Sequence, residues 1–157
     1  MPWLVRLFYL YLAYAFWDAR LKLAHYFQPD SELDLLWPVF WAEWVRPDQA
    51  ALGVGILLFN ATLLALFIPQ FRWIRIVFAF AFLEYLALTY SFGKIGHGLH
   101  LALWTSILLI FLPQNWHRPK YCRRSQRLQS VLVLGAIQVA LGLSYSLSGF
   151  WKCLGAL

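Results

Sequence analysis

The feature that most limits how this chain can fold is its last stretch, Arg127 to Leu157, which reads RLQSVLVLGAIQVALGLSYSLSGFWKCLGAL. No charged side chain lies between Arg127 and Lys152. A bilayer core about 30 Å thick is crossed by about 20 apolar residues in a helix, so this run is long enough to span. Read as a helix it has two faces. Gly135, Gly142 and Gly149 recur at seven-residue intervals, with Ser146 and Cys153 four residues after a glycine. Small residues at this spacing let a second helix approach closely, although Val139 interrupts the stripe. Beside it Gln138, Tyr145 and Lys152, also seven apart, make a polar line with Ser148 nearby.

The rest of the chain agrees with a membrane setting. Hydrophobic residues make up 62% of the 157 and charged residues 13%. That is more apolar surface than one small core can bury, so much of it must face lipid. Aromatic residues at 19% suit bilayer interfaces as well as helix packing. Thirteen Lys and Arg against seven Asp and Glu would fit a nucleic-acid partner. Their confinement to short gaps between apolar runs instead fits a topology signal and contact with anionic lipid, with no nucleic acid. Cys122 and Cys153 fall at opposite ends of the last span, which argues against a disulfide between them.

In order, the pattern predicts an all-α polytopic bundle. Spans are expected over about 3–27, 50–68, 73–92, 99–112 and 128–151, with an interfacial helix over about 35–45. The first span is the most polar, because Asp18, Arg20, Lys22 and His25 interrupt it. Asp18 and Lys22 stand in the favourable order for an i, i+4 pair. Ala13 and Ala15 also form an A-x-A pattern, so a cleaved signal peptide is the rival reading of this segment. Leu35 to Val45 holds three tryptophans and is too short to span, which suits a helix at the interface. Asn60-Ala61-Thr62 fits a glycosylation sequon but sits at membrane depth. Arg118, Lys120, Arg123, Arg124 and Arg127 cluster without an acid after Pro113. The positive-inside rule places that loop, the 70–75 turn and the N-terminus in the cytoplasm. The 28–48 connection, the 91–98 turn and the C-terminal end are then extracytoplasmic. The expected location is a bacterial inner (plasma) membrane.

This orientation gathers the polar candidates on the outer side. Glu84 lies in the middle or outer half of the third span, and an intramembrane carboxyl is costly enough to be a functional candidate by default, with a structural, paired role as the alternative. Lys94, His97 and His100 follow a glycine-rich turn. His25, His97 and His100 could serve a metal or haem, but four histidines in all fall short of a di-iron pattern, and interfacial hydrogen bonding accounts for them more simply. Lys152 is either a snorkelling anchor or a base whose pKa is depressed in a dry bundle interior beside Tyr145. No P-loop, nucleophile elbow, dinucleotide fingerprint or CxxC occurs.

The segment YSLSGFWKCLGAL (145–157) resembles the Y-x-x-(A/S)-G-x-x-K-L motif of the horizontally transferred transmembrane domain, the membrane region of vitamin K-dependent gamma-carboxylases. SFGKIGHGLHLALWTSILLIFLP (91–113) is similar to that family's N-H-x-x-L stretch before a span ending in proline. RLFYLYLAYAFWDARLKLAHYF, followed by Trp37-Pro38, resembles its first helix and connection. The resemblance implies that Lys152 is the base that deprotonates a hydroquinone and that His97 assists it. It also implies a quinone-like or other amphipathic ligand, with Glu84, Tyr145, His100 and Lys94 as further pocket groups. Gly96 stands where the family has asparagine, and His100 and Cys153 stand where it has leucine. The sequence ends five residues past Lys152, whereas relatives continue into further spans and a large extracytoplasmic domain. The expectation is therefore an outward-facing ligand pocket without complete carboxylase activity in this chain alone. The alternative expectation is a non-catalytic membrane subunit that self-associates or packs on a partner through Gly135, Gly142 and Gly149.

Overall fold

The computed structural model describes residues 2–26, 35–91 and 99–154, with 18–26 and 147–154 as backbone. The described residues form helices and turns and include no strand. The elements are α1 (Pro2–Tyr26), a 3-10 helix (Val39–Trp44), α2 (Pro47–Phe67), α3 (Arg72–Tyr90), α4 (His100–Leu109), two short 3-10 turns (Gln114–His117 and Pro119–Tyr121) and α5 (Arg124–Leu154). Three of these contain runs long and apolar enough to cross a membrane: Asp48–Phe67, Arg72–Tyr90 and Arg124–Ser146. The apolar stretches in α1 and α4, Trp3–Trp17 and His100–Leu109, are shorter. For α4 the reason is length: ten residues rise only about 15 Å at 1.5 Å each. The chain divides into two compact units, Met1–Gly96 and His97–Leu157.

The first unit is a three-helix meander. Proline positions set its boundaries. Pro47 sits at the start of α2, where its missing N–H is no loss. Asp48 in that first turn suits the helix dipole. Pro69 follows the end of α2 and opens the turn into α3. Helix α1 buries Val5, Tyr9, Leu12 and Phe16, a stripe at 3.6-residue spacing. These side chains meet α3, with Tyr9 edge-on to Phe78 at 5.0 Å and Phe16 edge-on to Phe82 at 5.0 Å. Each such aromatic pair is worth about 0.5–1.5 kcal/mol beyond its area. Helix α2 contributes Ala50, Val54, Leu58, Ala61 and Ala65 to the core, small enough for close helix approach. The opposite faces are apolar too: Trp3, Leu7, Tyr14, Trp17, Leu52, Phe67 and Phe80 are all exposed. A water-soluble fold rarely shows so large an apolar surface.

Several hydroxyl and amide side chains of these helices donate to their own backbone. Thr62, Thr89 and Ser91 donate to the carbonyls of Leu58, Tyr85 and Ala87 at 2.6, 2.7 and 2.8 Å. Asn60 does the same to Ile56 at 2.8 Å, so its side chain is engaged within the helix. Such i−4 bonds are how hydroxyls and amides are tolerated where water is absent.

The second unit pairs α4 with α5 through a compact loop. Leu109, Leu112, Trp116, Cys122 and Val133 are its buried apolar groups. Gln129 Nε2 donates to the Phe111 carbonyl at 2.8 Å, and the Cys122 thiol donates to Asn115 at 3.0 Å. The Arg123 backbone N–H donates to Gln126 Oε1 at 3.0 Å, the N3 half of a capping box that starts α5. With 31 residues α5 rises about 46 Å, more than one bilayer core.

Candidate functional site

The polar group that the first unit builds most deliberately is on α3. Glu84 is 4% exposed, on the helix face that also buries Tyr85 and Leu88. Its Oε2 accepts the indole N–H of Trp41 at 2.8 Å. Trp41 belongs to the 3-10 helix, which a cis Trp37–Pro38 bond precedes. Two turns beyond Glu84, at the residue that caps α3, Ser91 Oγ accepts the Leu36 backbone N–H at 3.2 Å while donating to the Ala87 carbonyl. Glu84 on α3 and Ser91 at its C-cap thus fasten the 35–44 segment at two points. Val39 and Ala42 turn inward, and Trp37, Phe40 and Trp44 turn outward. The segment expected as an interfacial helix over 35–45 is a shorter 3-10 helix docked against α2 and α3.

The chemistry of this arrangement is that of a buried carboxyl with a neutral donor. A carboxyl group can accept several hydrogen bonds, and the indole supplies one. An ion pair of Arg46 with Asp48 at 2.9 Å is exposed and separate from it. Exposed pairs of that kind contribute about 0–1 kcal/mol.

At the other end of α3 lies Arg75, which is fully buried. Its Nη1 donates to the Pro69 carbonyl at 2.9 Å and so closes the α2–α3 turn. In the sequence Arg75 stands with Arg72 at the opening of the third span, where both count toward the positive-inside signal. Its position was readable, since 75, 78, 82 and 85 fall on one helical face with Phe78, Phe82 and Tyr85. Trp41 and Ser91 had no such signal, because their partners are distant in sequence.

The other expected site residues are placed as follows. Lys94 and His97 lie outside the described residues. Lys152 falls within α5, but its side chain is outside the described set. His100 is the first residue of α4 and is half-buried. Tyr145 stands on α5 with 74% of its surface exposed. Gly135 and Gly142 are on open ground: a Cβ added at either meets nothing within 4 Å. Among the described residues no three His, Cys, Asp or Glu side chains gather as a metal site would require.

No family model, curated protein or solved structure matches this chain. Its function is therefore argued from its own residues.

Proposed function

We propose that the chain is a polytopic membrane protein of the horizontally transferred transmembrane type, with five membrane helices and a cytoplasmic N-terminus. It binds a quinone-like or other amphipathic ligand in its extracytoplasmic half. The single observation that carries the reading is the buried Glu84 carboxyl under Trp41. A carboxyl held inside an apolar bundle is expensive and is seldom kept without use. Here it sits where a Trp-rich segment meets the helix, offering acceptor capacity for the hydroxyl-bearing head of a hydroquinone-like ligand. The outward-turned rings of Trp37, Phe40 and Trp44 on the same segment offer exposed apolar surface. In this reading, which for these residues rests on the resemblance alone, Lys152 and His97 are the candidates to move a proton to or from the ligand, with His100, Tyr145 and Lys94 as further candidate ligand groups. The chain binds and positions; full carboxylation requires more than these residues.

The test is binding of a short-chain naphthoquinone to the protein in detergent micelles. Wild type is expected to bind saturably, and Glu84→Ala, Lys152→Ala and His97→Ala are each expected to weaken binding by about tenfold, which is about 1.4 kcal/mol. Unchanged affinity in all three variants discards the site.

A second reading is supported by the open ground at Gly135 and Gly142. A membrane helix with small residues on one face and little covering them is suited to pair with another helix, from a second copy or a partner subunit. Cross-linking in native membranes, with Gly135→Leu and Gly142→Leu as blocking variants, distinguishes this role. A complex lost in both variants supports it, and an unchanged monomer removes it.

A further inference from the structure

Between the first turns of α1 and the last turn of α2 runs an open groove of about 380 Å³, lined by Trp3, Arg6, Leu7, Leu10, Leu66 and Phe67. Its size falls in the range of small-ligand sites, about 300–1,000 Å³. Five of its six lining residues are apolar or aromatic, and the sixth is a cation. On α1 the lining residues 3, 6, 7 and 10 share one helical face. The Arg6 guanidinium carbon lies 5.8 Å from the centre of the Trp3 ring, so the charge sits against an aromatic wall of the groove.

The electrostatics at this end of the helix pair are one-sided. No acid occurs before Asp18 on the α1 side, and the last acid in α2 is Asp48, at its far end. At 1.5 Å per residue these lie about 18 Å along α1 from Arg6 and about 27 Å along α2 from Leu66, beyond a Debye length of about 8 Å. Arg72, exposed just past the α2–α3 turn, adds to the same sign.

From this combination we infer that the groove seats one anionic phospholipid. Its acyl chain lies along Leu7, Leu10, Leu66 and Phe67, and its phosphate rests on Arg6. An apolar trough leading to a single cation at a helix end matches a molecule with one apolar and one anionic end. This site is distinct from the Glu84 end of the unit, and the inference rests on the reading that the chain is embedded in a bilayer.

The experiment is native mass spectrometry of the protein released from micelles doped equally with phosphatidylglycerol and phosphatidylcholine of identical chains. Carbonate extraction of the starting membranes is done first, so that a chain outside the bilayer is recognised as a failure of the membrane reading itself. For an extraction-resistant chain, wild type retains phosphatidylglycerol several-fold over phosphatidylcholine. Arg6→Gln brings that ratio close to one. Leu66→Trp, which fills the trough and leaves the cation, lowers retention of both lipids. Lys120→Gln, a charge removed from the second unit, leaves the ratio as in wild type. A preference that survives Arg6→Gln overturns the inference. So does a Lys120→Gln effect equal to that of Arg6→Gln, which would show diffuse attraction and no seat.

Discussion

Helices α3 and α5 are both long and apolar enough to cross a bilayer, yet their surroundings differ sharply. Of the membrane-length window in α3, 56% is buried within the protein, against 6% in α5. Each carries polar side chains. In α3 they are tied down: Arg75 to Pro69, Glu84 to Trp41, Ser91 to Leu36 and Ala87. In α5 Gln138 and Tyr145 are exposed, and among its described side chains Val133 is the buried apolar one. The contrast separates two ways of using a hydrophobic helix. One is completed by its own unit, through aromatic rings at 5.0 Å and backbone-satisfied hydroxyls. The other presents long apolar and small-residue faces that lipid or another helix must cover.

The contrast makes its largest prediction at Phe82, which is fully buried between Phe16 and Phe78. Phe82→Ala should destabilise the protein by about 3 kcal/mol, the lower end of the range for such cavities. Leu132→Ala, at an exposed α5 position, should stay within about 0.5 kcal/mol. Unfolding in mixed micelles by added SDS measures both, and equal costs would break the comparison.

Next comes the tie between Trp41 and Glu84. Trp41→Phe removes the donor and leaves the carboxyl buried, costing about 1–3 kcal/mol. Glu84→Gln keeps an acceptor oxygen and should cost less than Trp41→Phe. The same unfolding assay checks the order, and the reverse order would mean that the indole is not what holds Glu84.

On α5 the expected stability effect is smaller and opposite in sign. A Cβ added at Gly142 meets nothing within 4 Å, and Gly142→Leu improves helix propensity, so intrinsic stability should rise by up to about 1 kcal/mol. A loss of stability in dilute micelles would show that the face is already covered within the chain. The smallest effect is expected at Tyr9. Its hydroxyl is buried without a hydrogen-bond partner, so Tyr9→Phe should change stability by less than about 1 kcal/mol and in the stabilising direction.

Much of the helical framework was legible because its signals are local. The span expected over 50–68 is the helix Pro47–Phe67, and that over 73–92 is Arg72–Tyr90, each bounded by a proline or a charged turn. The span expected over 128–151 extends to Arg124–Leu154, since the arginines and Gln126 continue the helix into the basic loop. The site was less legible. Glu84 stood out from sequence as a carboxyl in an apolar run. Its partner did not, because 43 residues separate it from Trp41 and the link depends on how the 35–44 segment turns back. Hydropathy flags a tryptophan as interfacial without saying which ring donates to which carboxyl. Arg75 carries two signals at once. Its charge drew the topology rule, while its helical register with Phe78 and Phe82 already placed it on the buried face.

The claim that matters most is that the Glu84–Trp41 end of the bundle faces away from the cytoplasm. It is tested by labelling single cysteines in intact cells with a membrane-impermeant maleimide, in a background with Cys122 and Cys153 changed to serine. Glu43 and Tyr121 are both exposed and carry the probes, as Glu43→Cys and Tyr121→Cys. The account predicts that position 43 is labelled in intact cells and that position 121 is labelled only after permeabilisation. Labelling of position 121 in intact cells, with position 43 protected until permeabilisation, would invert the protein and contradict the outward-facing site.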